Sequence, residues 1–527
     1  MRIKKIFQAC TISFAAMTAD SLTPSFAGTI SVGAGSYTDS LEGRYWGGES
    51  MKSVKGFINI SDNIKGPYPT SDWWSSLIWN YYGENNESHQ SSGMHPHPFS
   101  MVTATDGLIV SAPNQAKVND HSWQGKVYQP KADYHHEFFP DFTIGLRGLN
   151  TPKTLADDYS DWTVTALWES GASKLRSTFG HGLPFIYFTK EGSEDAAIRF
   201  DDGSWANGTG AADSAKVWYN IGNTLAVTVN GKHYAFFAPE GSFWNIEQSE
   251  AGDIINGLSS SLAGKDYFSV ASLPNDQAAT VLEYKKHAFA FIIDTKVSYA
   301  YDKENAKVIT TFTATTELKE QNGSGYENSA MLGLYRHQWL HSDDVNTNFT
   351  YQTARGEMKY RAGNVFTTET PFYGILPALP LMHGDIANAK AQLAKDVAII
   401  KARHDKFLAP DTYGRGKQYG KVAHLIEIAE QLGEAESVRY LVGVLRKDLS
   451  NFLTDSGASD LRFFFLNKEW GALTGYPSSF HSEEQLNDHH FHFGYFLKGA
   501  ATVAKYDPAW ASDSLYGGMV KMLIADV

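Results

Sequence analysis

Cysteine is almost missing: Cys10 is the single one in 527 residues, and it lies within the first few residues of the chain. That count excludes an internal disulfide and, once a leader containing Cys10 is removed, a thiol nucleophile or a thiolate zinc site. Also missing is any run of about 18 apolar residues, the length a membrane-spanning helix needs, so no membrane association is expected. Positive charge is scarce, with 45 Lys and Arg against 58 Asp and Glu and a formal net charge of −13. Nucleic-acid affinity rests on neutralising phosphates, so a nucleic-acid partner is not expected either. Low-complexity tracts and internal repeats are absent as well, and 42% hydrophobic with 20% charged residues is the composition of a folded chain.

At this length one core does not usually organise the whole chain, which predicts two or three domains. Residues 1–27 carry Arg2, Lys4 and Lys5 ahead of an apolar stretch from Ile6 to Ala19 and end at Ser25-Phe26-Ala27. This is the pattern of a secretory signal peptide, so a secreted or periplasmic location is expected. From Gly28 to about residue 320 short apolar or alternating runs are broken by Gly, Asn, Asp and Pro, which predicts a large antiparallel β-sandwich. Leu225–Val229 and Tyr234–Phe237 flank Asn230-Gly231, a pair suited to a tight hairpin. Runs at Ala288–Ile293 and Val308–Thr315 continue the strand style.

The period then lengthens to that of a helix. Tyr419, Val422, Ala423, Ile426, Ala429 and Leu432 fall on one helical face, with Gly433 as a stop. Leu441, Val444, Leu445 and Phe452 mark the inner side of a second helix over Glu436–Leu453. Further helices are predicted near Ile386–Arg403, Asp488–Lys505 and Ser512–Ala525.

The densest polar and aromatic cluster runs from Asn487 through Asp488, His489, His490, Phe491 and His492 to Tyr495. On a helix Asp488, His492 and Tyr495 lie at i, i+4 and i+7 and share a face. A carboxyl there suits protonation of a departing glycosidic oxygen, with an imidazole and a phenol to orient it and bind hydroxyls. The competing structural role for Asp488 is to share a helix N-cap with Asn487. The macrodipole at that end favours the ionised carboxylate, so an acid role needs burial or a second carboxylate nearby. His489 and His492 at i, i+3 invite a metal reading, but the chain holds neither an HExxH motif nor a second cluster at ligand spacing. In Met94-His95-Pro96-His97-Pro98 the prolines dictate an extended loop, whose histidines read as packing residues. No metal or organic cofactor is expected.

Several ordered segments resemble glycoside hydrolase family 81. They are Pro67-Tyr68-Pro69-Thr70-Ser71-Asp72-Trp73-Trp74-Ser75-Ser76-Leu77-Ile78-Trp79, then His97-Pro98 with Thr105-Asp106-Gly107-Leu108, then Tyr159-Ser160-Asp161-Trp162-Thr163-Val164 and Gly182-Leu183-Pro184-Phe185. Asp411-Thr412-Tyr413 with Gly416-Lys417 follows, and Gly475-Tyr476-Pro477-Ser478-Ser479-Phe480 leads into Asn487-Asp488-His489-His490-Phe491-His492. The resemblance implies a β-sandwich over 28–320, a small α/β connecting region over 321–385 and the first part of an (α/α)6 barrel over 386–527. It also implies endo-hydrolysis of β-1,3-glucan with inversion, Asp488 as general acid, His492 in support, and His489, Tyr495, Tyr476 and Trp470 as substrate-binding residues.

In the family the general base comes from a pair of glutamates at i, i+4 well downstream of this aspartate. No glutamate follows Asp488 here, and Asp507, Asp513 and Asp526 are the only later side-chain carboxylates. Glu430 and Glu434 have the spacing but lie upstream, on what reads as the solvated face of a helix. The expectation is therefore a monomeric glucanase chain truncated before its base. The alternative is a non-catalytic β-1,3-glucan-binding protein using Trp73, Trp74, Trp470 or Tyr476, although packing is the commoner role for the Trp73-Trp74 pair because successive strand residues face opposite ways.

Overall fold

A computed structural model of the protein describes residues 28–51, 59–78, 91, 93–113, 117–119, 133–135, 140–200, 215–252, 254–320, 325–343, 349–375, 384–404 and 406–527. The expected signal peptide lies outside these residues. The chain divides into two compact units.

The larger unit is built on Trp73–Gly374 and is rich in antiparallel strands. One sheet has eight strands, in the order Thr154–Tyr159, Thr163–Ser170, Ser173–Gly180, Phe185–Glu191, Tyr267–Leu273, Lys232–Phe237, Thr224–Val229 and Lys216–Ile221. A six-stranded sheet includes Phe142–Leu146 and Ala196–Phe200. Period-two patterning makes these strands: along Ser173–Gly180, Ser173, Leu175, Ser177 and Phe179 are buried while Lys174, Arg176 and Thr178 are partly exposed. Aromatic rings join the two sheets, with Phe142 edge-on to Tyr234 at 4.8 Å and to Phe236 at 5.4 Å. The Asn230-Gly231 hairpin forms as expected, with φ of 49° and 71°, the left-handed pair that matches the strand twist. Helix α1 (Ala278–His287), helix α2 (Arg336–Trp339) and two three-stranded sheets complete the unit. The strands from Met331 to Pro371 belong to this same unit.

The smaller unit holds Ile375–Val527 and the amino-terminal strands. Its helices are α3 (Ile386–Ala402), α4 (Thr412–Gln431), α5 (Ala435–Phe452), α6 (Ser482–Gln485), α7 (His489–Tyr506) and α8 (Gly517–Asp526). The face expected on α4 is buried, and Gly433 closes that helix at φ 73°. Tyr419, Ile426, Leu441, Leu445, Phe452, Phe496 and Val503 form the centre of this core.

One part of the unit departs from the expected β domain starting at residue 28. Strands Thr29–Val32 and Gly35–Thr38 pair with Phe463–Asn467 and Ala472–Tyr476 in a four-stranded sheet, through a parallel contact of Thr38 with Phe465. Asp455, just past α5, explains why. Its buried carboxylate accepts from Arg44 Nη2 at 2.9 and 2.8 Å, from Thr29 Oγ1 at 2.5 Å and from the Gly457 amide at 3.1 Å. Its backbone amide meets Ser36 Oγ at 2.8 Å. The Arg44 guanidinium also lies 4.1 Å from the centre of the Phe463 ring.

Removing one member of a buried ion pair strands the other, at a cost of about 3–5 kcal/mol. Asp455→Ala is therefore expected to lower the unfolding free energy of the smaller unit by that amount, read as a drop in the urea midpoint. Lys521→Ala, which removes an exposed pair with Asp513, should leave the midpoint where it is.

Candidate active site

The Asp488 cluster sits where the Ala472–Tyr476 strand, the start of α4 and the start of α7 converge. Gly475 is required at this junction, because a Cβ there would lie 2.5 Å from Thr412 Cγ2. The chain turns at Pro477, whose carbonyl accepts the Thr412 amide at 3.0 Å. Asp411 caps α4 by accepting from the Gly414 amide at 2.7 Å. Its neighbour Thr412 then places Oγ1 3.0 Å from His492 Nδ1 inside the unit.

Asp488 is not on the first helical turn. It precedes α7 with φ 60° and ψ 13°, a left-handed conformation, and its side chain makes no capping bond. Its carbonyl instead accepts the His492 amide at 2.8 Å and starts the helix. Aspartate tolerates this region better than most side chains. The turn leaves the Asp488 side chain partly exposed and close enough to His492 to act on its titration. His492 itself is 1% exposed. Burial, the largest effect, pushes its pKa below the usual 6.5, against a raising influence of Asp488. Nδ1 is engaged by Thr412, while the buried Nε2 has no partner among the described residues.

The other expected site residues go to different places. Tyr495 is half-buried along the seam of α4 and α7, packed over Gly416 and Gly420, where added Cβ atoms would each come within 3.1 Å of it. His489 is 2% exposed, with Nδ1 2.5 Å from Asp526 Oδ2, and Asp526 also accepts the Leu473 amide at 2.6 Å. His489 is thus a buried packing residue rather than a sugar-facing one. Trp470 is 1% exposed and edge-on to Tyr68 at 4.8 Å. Tyr476 is 3% exposed and stacked on its cross-strand neighbour Phe463 at 5.4 Å. Both rings are thus packed within the unit. Trp74 is equally buried, and Trp73 packs against His181 at 4.7 Å.

The exposed rings beside His492 are others. Tyr413 lies 5.4 Å from the His492 ring and 5.0 Å from Phe480, and Phe491 lies 5.7 Å from Tyr413. Phe480 and Phe491 are 61% and 46% exposed. The signal for Phe491 was in the sequence: it falls off the inner face defined by His489, Phe493, Phe496 and Val503.

Every side-chain carboxylate after Asp488 is already engaged. Asp507 meets Arg446 at 2.7 Å, Asp513 meets Lys521 at 2.6 Å, and Asp526 holds His489. Upstream, Glu430 and Glu434 pair with Lys505 at 2.5 Å and Lys390 at 2.8 Å on partly exposed surface. Among the described residues no group of three or more His, Cys, Asp or Glu is placed to hold a metal ion.

Residues 386–527 match the family model described as the glycosyl hydrolase family 81 C-terminal domain. Over 505 residues the chain is 35% identical to a glucan endo-1,3-beta-D-glucosidase of Thermobifida fusca, covering 95% of this chain and 61% of that protein. A protein of the same name from Acetivibrio thermocellus is 34% identical over 474 residues, covering 89% of this chain and 56% of the relative. The solved structure of a family 81 glycoside hydrolase from Clostridium thermocellum, a mutant of CtLam81A, superposes with a TM-score of 0.78 at 33% identity. That match covers 95% of this chain and 63% of the other. The chain thus spans about six-tenths of the length of the curated relatives it matches.

The depressed pKa of His492 sets a sign for acid stability. Above pH 6.5 both folded and unfolded forms are neutral there. As the pH falls below that value the unfolded state takes up the proton first, and folding loses stability down to the folded pKa. His492→Gln should therefore flatten part of the decline in urea midpoint measured just above pH 6.5 and about one unit below it; an unchanged slope would contradict a neutral His492.

Proposed function

From its similarity to glycoside hydrolase family 81, we propose that this chain is a member of that family and acts as a secreted endo-1,3-β-glucanase that cleaves internal bonds of laminarin-like glucans with inversion. The observation that carries this reading is Asp488, held on a left-handed residue at the mouth of α7 beside neutral His492 and the exposed rings of Phe480 and Phe491. Asp488 is the general acid, and Thr412 and His492 support its turn. Phe480, Phe491 and Tyr413, rather than Trp470 and Tyr476, offer the faces on which glucose rings stack. In the same reading the two joined antiparallel sheets are the family's β-sandwich, and residues 386–527 are the first part of its (α/α)6 barrel.

An inverting site needs a second carboxyl about 6.5–9.5 Å away, with room for the attacking water. Asp507, Asp513 and Asp526 are each held by a cationic or imidazole partner, so in this reading the base is none of these three.

The test is reducing-sugar release from laminarin by this chain and by the polypeptide extended along its natural reading frame. Activity is expected in the extended form only, and Asp488→Asn should reduce it by about 10²–10⁴-fold. Equal activity in both forms would place the base within this chain. The exposed rings also favour a binding-only reading. Retardation in laminarin gels that is lost in Phe480→Ala and Phe491→Ala, with no cleavage by either form, would establish it.

A further inference from the structure

A second concave site lies in the smaller unit, among the end of α3, α4 and α5. It is a cavity of about 760 Å³ lined by Lys406, Arg415, Arg439, Lys447 and Arg462, with Asp448 as its one described carboxylate. In a chain of net charge −13 such a concentration of cations is contrary to the general surface. On α5 the spacing is regular: Arg439, Gly443 and Lys447 follow at four-residue intervals and share one face. Gly443 is exposed and leaves the opening between Arg439 and Lys447 clear, since a Cβ there would meet no atom within 4 Å.

Solvated lysines on a helix face do not make a site, but Arg415 is not solvated. Its side chain is 3% exposed, and two of its nitrogens are used: Nη1 lies 2.6 Å from Asp448 Oδ1 and Nη2 lies 3.1 Å from the Phe407 carbonyl. Its Nε is buried with no partner among the described residues, although burying an unpaired donor on a charged group is costly. Asp448 is already shared with the Tyr419 hydroxyl at 2.6 Å. One carboxylate therefore answers for a buried guanidinium, while Arg439, Lys447 and Lys406 stand exposed around the same opening. Arg462 is oriented by Asn451 at 2.5 Å.

We propose that this cavity binds a small polyanion bearing phosphate groups. Guanidinium forks match the oxygen spacing of phosphate, and the volume falls in the range of about 300–1,000 Å³ typical of small-molecule sites. The proposal is independent of the glucanase reading, because none of these residues belongs to the Asp488 cluster.

Isothermal titration of the whole chain with pyrophosphate, at constant ionic strength set by sodium chloride, tests it. One saturable site is expected. Arg439→Ala with Lys447→Ala should weaken it by about tenfold or more, the loss of about 1.4 kcal/mol. Gly443→Leu narrows the opening between Arg439 and Lys447 and should weaken it as well, while Lys390→Ala, outside the cavity, should leave it unchanged. Citrate as a parallel ligand distinguishes phosphate from carboxylate chemistry, and tighter citrate binding would overturn the phosphate assignment. No saturation, or equal affinity in the Gly443→Leu protein with its fold verified by circular dichroism, would overturn the site itself.

Discussion

A buried carboxylate organises the smaller unit. Asp455 lies between the end of α5 and the strand at Phe463, with Arg44, Thr29 and Ser36 brought to it from 411, 426 and 419 positions away. Isolated in a core such a charge would be prohibitive; here each oxygen is met by charge-assisted or neutral donors. The pair's attraction is largely offset by its desolvation, so its importance is in fixing geometry. Arg44 covers Phe463, Phe463 stacks on Tyr476, and Tyr476 leads to Pro477, whose carbonyl holds Thr412. Thr412 reaches His492 one bond later. A continuous series of contacts thus runs from the amino-terminal strands to the candidate site.

Much of this architecture was legible because it is local. The helical period across α4 named its buried face residue by residue, and Asn230-Gly231 named its turn because both residues accept positive φ. The sheet joining Thr38 to Phe465 was not legible, since no periodic signal connects strands so far apart in sequence. The burial of Trp470 and Tyr476 was not legible either. Aromatic residues next to a conspicuous motif suggest sugar platforms, but pairing with the strand at Phe463 turns Tyr476 into the core, and Tyr68 closes over Trp470. The candidate acid was evident from its neighbours. Its left-handed conformation was not, because the pattern allowed Asp488 either a cap or a place on the first turn.

The site has an economical electrostatic logic. Burial lowers the His492 pKa, and the ring is oriented through Nδ1. The adjacent His489 differs in kind, locked to Asp526 within the core. Two histidines three residues apart therefore divide the work of α7: one fastens the helix to the Ala472–Tyr476 strand through Asp526, and the other faces the start of α4.

The discontinuous make-up of the smaller unit has a consequence for biosynthesis. Trp73–Gly374 is one uninterrupted run, so its sheets complete themselves as they emerge from the ribosome. The hairpin of Thr29–Val32 and Gly35–Thr38 emerges first yet finds its outer partner only at Phe465. At translation speeds of about 5–20 residues per second that interval lasts on the order of tens of seconds. Throughout it the hairpin presents an unpaired edge to every other nascent chain nearby, which makes these two strands the ones most in need of a chaperone's cover.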